Sequence, residues 1–301
     1  MREPLQPVKP RNALQPVNPK PVSLQPRNHT QSQTVEIEVT LDYVLPSPCM
    51  ILMQIEATND AVQTVLDAKL HIEGSPKTSV MAAHDGIGLR RWIEASRVLD
   101  CTYQAKVAVA RKEPDIGSLK ANSLNEISGN TTAYLFPSRY CPLDPFFSFV
   151  ETTFGSVPSG AMVNDMAGWI AQNLTYDANA TTPTTTAQET FTSRRGVCRD
   201  FSHVLIAFCR AASIPARIAS VYGPDVNPQD FHAIVEVFLE GHWHMVDPTG
   251  MARSNNTVRL GIGRDATDIA FLTGFGAMQL RHQSVSVRQS APIRAPEPTS
   301  C

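Results

Sequence analysis

Several absences in this sequence narrow its chemistry before any motif is considered. No apolar run approaches the roughly 20 residues that a bilayer-spanning helix needs. The N-terminal MREPLQPVKPRNALQPVNPK has no apolar core of the kind a secretory signal carries. These two features predict a cytoplasmic chain without a membrane partner. Charge is sparse, at 18% of residues with a formal net charge of −2, so no basic field draws nucleic acid. The six cysteines, at 49, 101, 141, 198, 209 and 301, show no short paired spacing. Neither a zinc site nor a disulfide framework is written in them. RLGIGRDATDIAFLTGFG holds glycines but lacks the lysine-hydroxyl ending of a phosphate loop, and reads as a loop and short helix closing its domain. No cofactor is implied.

What is present is an ordinary globular composition, 42% hydrophobic over 301 residues, about twice the usual length of one domain. Residues 1–33 repeat LQPVKP, LQPVNP and LQPRNH, a proline-rich pattern that predicts a disordered, extended tail. Residues 34–135 change to short alternating segments, TVEIEVTLDYVL, CMILMQIEA, VLDAKLHIEG, RRWIEAS and CTYQAKVAVA, parted by turn-rich pieces. That texture predicts an antiparallel β-sandwich-like domain. Residues 136–288 turn helical and then mixed, with Met162, Met166, Trp169, Ile170 and Leu174 at helical spacing. The fold class is α+β, a β-rich domain followed by an α+β core, with 289–301 as a flexible end.

The α+β segment carries the chemistry. In RRGVCRDFSHVLIAFCRAASIPAR, apolar Phe201, Val204, Leu205, Phe208, Cys209 and Ala212 recur at three and four, an amphipathic helix that stops before Pro215. Gly196 lets the chain turn sharply into it, which leaves Cys198 in the first turn. Cys198 and Cys209 share a face but stand about 16 Å apart along the axis, too far for a disulfide. Cys209 lies in the apolar stripe as a small hydrophobe. Cys198 meets the unpaired N–H groups and positive dipole end that favour a thiolate.

A nucleophile needs a base. FHAIVEVFLEGHWHMVDPTG reads as two strands joined by a tight turn at Glu240-Gly241, so Leu239 faces His242 and Val237 faces His244. Asp247 then falls opposite Ile234, diagonally beside His232. The same face carries Phe238, Trp243 and Met245, an apolar surface on which the cysteine helix is expected to pack. The resulting trio is Cys198 as nucleophile, His232 as its base and Asp247 as the orienter of the imidazole. The backbone N–H of Cys198 is the expected oxyanion donor.

These phrases, in this order, resemble the bacterial transglutaminase-like proteins of the papain-related superfamily. There a helix-borne Cys in a GvCrDfaH phrase is followed by a strand His and by an Asp after W-x-x-VD. The resemblance is specific over about 185–250 and looser from about 34 to 285. It implies the same three residues, Cys198, His232 and Asp247, and a structural acid at Asp200 that holds the loop before the helix. It also implies an N-terminal β-rich domain. Such members cross-link amides, cleave peptides, remove glycans as amidases, or have lost activity, so the implied partner is a peptide, protein or other amide substrate. The proline tail lies outside the family pattern, and no acidic loop of a calcium site is present. Two other readings compete: an inactive binding or scaffold protein, and a metal site made of Cys198, His203, His242 and His244.

Overall fold

A computed structural model describes residues 32–73 and 77–290; the proline-repeat tail lies outside them. The first half builds six strands, β1 (Gln33–Val44), β2 (Cys49–Met53), β3 (Gln63–Glu73), β4 (Thr78–Ala82), β5 (Leu89–Ala95) and β6 (Val98–Val109). Alternation explains them: β1 turns Val35, Ile37, Val39 and Leu41 inward while Glu36 and Glu38 face water. Within this half, β4 is the strand the sequence reading lacks. All five of its residues are exposed, so an edge position left no apolar period to read. Further on, RLGIGRDATDIAFLTGFG, expected as a loop and short helix, also carries most of one strand, Val258–Gly263, and all of another, Leu272–Gly274.

The second half contributes α1 (Gly129–Thr132), α2 (Phe147–Phe154), α3 (Gly160–Asn173), β7 (Thr175–Tyr176), α4 (Ala187–Ser193), β8 (Arg195–Gly196) and α5 (Cys198–Ala211). It continues with β9 (Ala216–Tyr222), β10 (His232–Leu239), β11 (His242–Val246), β12 (Val258–Gly263), α6 (Ala266–Ile269), β13 (Leu272–Gly274) and β14 (Gln279–Ser290). The strands form antiparallel sheets in the orders β14-β1-β6-β3, β13-β2-β5-β4 and β11-β10-β9-β12. β13 and β14 were expected with the α+β segment, inside 136–288. They instead pair with β2 and β1, because Val285 and Val287 alternate inward and join the core beneath β1. Among the described residues no helix is long and apolar enough to cross a membrane.

α5 is buried on every side from Asp200 to Arg210. Its apolar side chains meet Val163, Met166 and Ile170 of α3 and Ala233, Val235, Val237 and Leu239 of β10. Its polar side chains are buried with hydrogen-bond partners, save His203 Nδ1, which has none among the described residues. Ser202 Oγ donates to Ala233 O at 3.0 Å, and His203 Nε2 accepts from Ala266 N at 3.1 Å. The Arg210 guanidinium donates to the carbonyls of Phe136, Ala216 and Arg264.

The helix therefore covers the β10 face opposite the one expected. The Phe238, Trp243 and Met245 face also carries Glu236, whose carboxylate is buried and bonded by Arg217 and Arg259 at 2.8 Å each. Arg217 in turn lies 3.9 Å over the Trp243 ring. An apolar helix laid there would have stripped that carboxylate of partners; the Ala-Val-Val-Leu face carries no such demand.

Candidate active site

Chain direction brings three side chains to one rim of the β11-β10-β9-β12 sheet. α5 turns directly into β9, so β9 runs back along it and ends beside the helix start. β10 runs antiparallel to β9, with His232 opposite Val221, and β11 antiparallel to β10, with Val235 opposite Val246. The helix start, the beginning of β10 and the end of β11 thus share one end. The hairpin register is the expected one, and Glu240 (φ 49°) and Gly241 (φ 79°) both take the positive φ of a type I′ turn.

Cys198 is the first residue of α5 and half-buried. Asp200, fully buried, anchors the approach: its Oδ2 accepts from Val197 N at 2.9 Å, and Oδ1 accepts from Arg199. Gly196 is required for a different reason from the one expected. A Cβ there would stand 2.7 Å from Asp200 Cβ, so close approach, not a turn, excludes a side chain. β8 also pairs in parallel with β7, placing Tyr176 opposite Gly196. The Tyr176 ring packs 6.0 Å from that of Phe201, close enough to Cys198 for each to act on the other electrostatically.

His232 Nε2 lies 2.8 Å from Asp247 Oδ2, with side-chain exposures of 1% and 3%. Nε2 is taken by the carboxylate, and the Cys198 side chain is the other group close enough to act on this imidazole, favouring its charged form. Asp247 also accepts from Thr249 N (2.9 Å), Thr249 Oγ1 (2.7 Å), Met251 N (3.1 Å) and Ala252 N (2.7 Å). Burial alone would raise its pKa, but the His232 charge and these donors hold it below the usual carboxylate range. Burial likewise disfavours the imidazolium, yet the Asp247 carboxylate and the Cys198 side chain outweigh it and push His232 up to about 10. Burial and the adjacent Cys198 raise Tyr176 strongly. The His232 imidazole is thus held by a buried carboxylate at the same end of the sheet as the first turn of α5, where Cys198 stands.

Cys209 is buried in the core, its thiol pushed up to about 12 by burial. The other metal candidates are not brought to Cys198. His203 stacks on Tyr140 at 5.1 Å, and His244 bonds Leu239 O beside His242 at the hairpin turn. Among the described residues, no group of three or more His, Cys, Asp or Glu could hold a metal ion. Sequence reasoning missed Tyr176 and Thr249. The TYD that follows α3 and the DPT that follows β11 carried the signal, but neither has a period.

Residues 150–248 match the family model of the transglutaminase-like superfamily. A solved structure from Cytophaga hutchinsonii, described as a candidate cysteine protease, is 30% identical; the match covers 86% of this chain and 91% of that one, with a TM-score of 0.81. An uncharacterized Mycobacterium leprae protein is 26% identical over 190 residues, 58% of this chain and 67% of that protein. An uncharacterized Mycobacterium tuberculosis protein is 30% identical over 132 residues, 39% of this chain and 42% of its own length.

Proposed function

Since the chain belongs to the transglutaminase-like superfamily, we propose that it is a cysteine-dependent acyltransferase or amidohydrolase acting through a thioester on Cys198. The observation that carries this reading is the 2.8 Å pairing of His232 with Asp247, with Cys198 in the first turn of α5 close enough to act on the same imidazole.

In the proposed reaction the Cys198 thiolate attacks the acyl carbon of an amide. The developing oxyanion accepts from the backbone N–H of Cys198, one of the donors that a helix start leaves unpaired. Tyr176, which the β7–β8 pairing sets opposite Gly196, two residues before Cys198, is proposed as the second donor. The His232 imidazolium gives its proton to the departing amine, and the C–N bond breaks to leave a thioester. Water or an acceptor amine then attacks, giving up its proton to His232, and the thiolate departs. Asp247 holds the ring in one orientation and balances its charge. The acyl donor is a peptide, protein or other amide. A reducing compartment such as the cytoplasm suits the five cysteines that stand free among the described residues.

Intact-mass trapping tests the reading. A glutamine-containing peptide should leave an acyl adduct on Cys198 that is absent from Cys198→Ser, and product analysis with and without added amine separates transfer from hydrolysis. Alkylation of Cys198 no faster than a free thiol, and unaffected by His232→Ala, would leave the scaffold reading standing instead.

A further inference from the structure

The segment joining β9 to β10, residues 223–231, delivers His232, and it is tied down from outside its own sheet. Gln229 Oε1 accepts from Val287 N of β14 at 2.7 Å. Its Nε2 donates to the carbonyls of Gly223, Pro224 and Val226 at 3.3, 3.1 and 2.8 Å. Asp230 Oδ1 accepts from Gln283 Nε2, also on β14, at 2.7 Å, and from Phe231 N at 2.8 Å. The Phe231 ring stacks on Phe271 at 4.2 Å, and Tyr222 Oη donates to Ile55 O at 2.8 Å. β14 is an edge strand whose other side pairs with β1, so its outward Val287 N–H is free to bond the loop. The unpaired edge is used, which also shields it from foreign strands.

We infer that β14 is a positioning element for His232, with Gln229 and Asp230 as the positioning residues through which the β-rich sheet acts on the site. The bonds fall three and two residues before the imidazole. Gln229 gathers three carbonyls of its own loop and fixes that gathered loop to a strand paired along nearly its whole length. Without the tie, the start of β10 would keep its pairing with β9 but lose the restraint on the chain entering it. His232 would then sample positions off the line between Cys198 and Asp247. This inference rests on the proposed role of the three residues, and it gives the β-rich sheet work in the chemistry beyond covering the core.

The test is the pH profile of Cys198 alkylation by iodoacetamide on the full chain, read alongside thermal unfolding, for the parent, Gln229→Ala, Gln283→Ala and His232→Ala. In the parent, Cys198 should alkylate faster than a free thiol because His232 stands ready to take its proton, and His232→Ala should abolish that advantage. Gln229→Ala should lower the rate at pH 6 by about tenfold or more, as expected when a reacting pair is misplaced by a fraction of an ångström, and Gln283→Ala should do so to a smaller degree. Amide turnover should lose kcat at unchanged KM. A parent profile like that of a free thiol, indifferent to His232→Ala, overturns the nucleophile reading itself. A parent faster than a free thiol whose two glutamine variants match it overturns the positioning role alone. If Gln229→Ala no longer unfolds cooperatively, Gln283→Ala, which removes one exposed bond, decides by the same comparison.

Discussion

Asp247 Oδ2 holds His232 Nε2 at 2.8 Å while accepting two backbone N–H bonds of its own, from Met251 and Ala252. One oxygen therefore fixes the imidazole and the loop after β11 together. The other, bonded by Thr249, stops the carboxylate from rotating. An ion pair this dry is held by geometry, since each partner would be costly to leave uncompensated.

Replacing Asp247 by Asn keeps the shape but removes the charge facing the imidazolium. Turnover of an amide substrate should fall by about 10⁴-fold in kcat, the scale seen when an orienting carboxylate loses its charge. Thermal unfolding should remain cooperative, because one amide oxygen still accepts from the loop. Steady-state kinetics with a melting curve checks both halves.

The His232 titration predicts a pH window for stability. Its pKa rises from 6.5 to about 10 on folding, so the folded chain binds the proton more tightly than the unfolded one. That contribution is fully present below pH 6.5 and is lost as pH climbs toward about 10. Melting temperature against pH should fall across this window in the parent, and the slope should flatten in His232→Ala from a lower starting point.

Gly196→Ala forces a Cβ to within 2.7 Å of Asp200 Cβ and 2.9 Å of its Oδ2. Asp200 cannot yield without releasing Val197 N, the residue before Cys198. Overpacking of this kind costs about 1–3 kcal/mol, measurable as a lowered denaturant midpoint. Alkylation of Cys198 should slow in the same variant.

Glu236 is bonded by Arg217 and Arg259, and Arg259 also pairs with Asp60 in the loop before β3. Glu236→Ala leaves the buried Arg217 guanidinium without its carboxylate and Arg259 with Asp60 alone, and stability should drop by about 3–5 kcal/mol. Replacing Arg217 and Glu236 together by apolar residues should cost less than the sum of the single changes, a sign that the penalty is uncompensated charge. A double-mutant cycle in urea reads the difference.

Periodicity within short segments determined much of this molecule. The three-and-four spacing from Phe201 to Ala212 was enough to place Cys198 at a helix start and Cys209 in the core. The alternation around Glu240-Gly241 was enough to set the register that brings Asp247 beside His232. Local pattern says which residues share a face, and in this hairpin it said so correctly.

Which face of β10 the helix would cover was decided elsewhere. The answer depended on Glu236 finding Arg217 and Arg259 across β9 and β12, and alternation is blind to partners supplied by other strands. The same limit hid Tyr176, which a pairing only two residues long sets opposite Gly196, two residues before Cys198. It also hid the return of β14 to β1, across more than two hundred residues of chain. A strand's alternation records that it has a buried side, but the identity of its neighbour is settled by which open edge and which unpaired N–H groups the folded chain brings within reach.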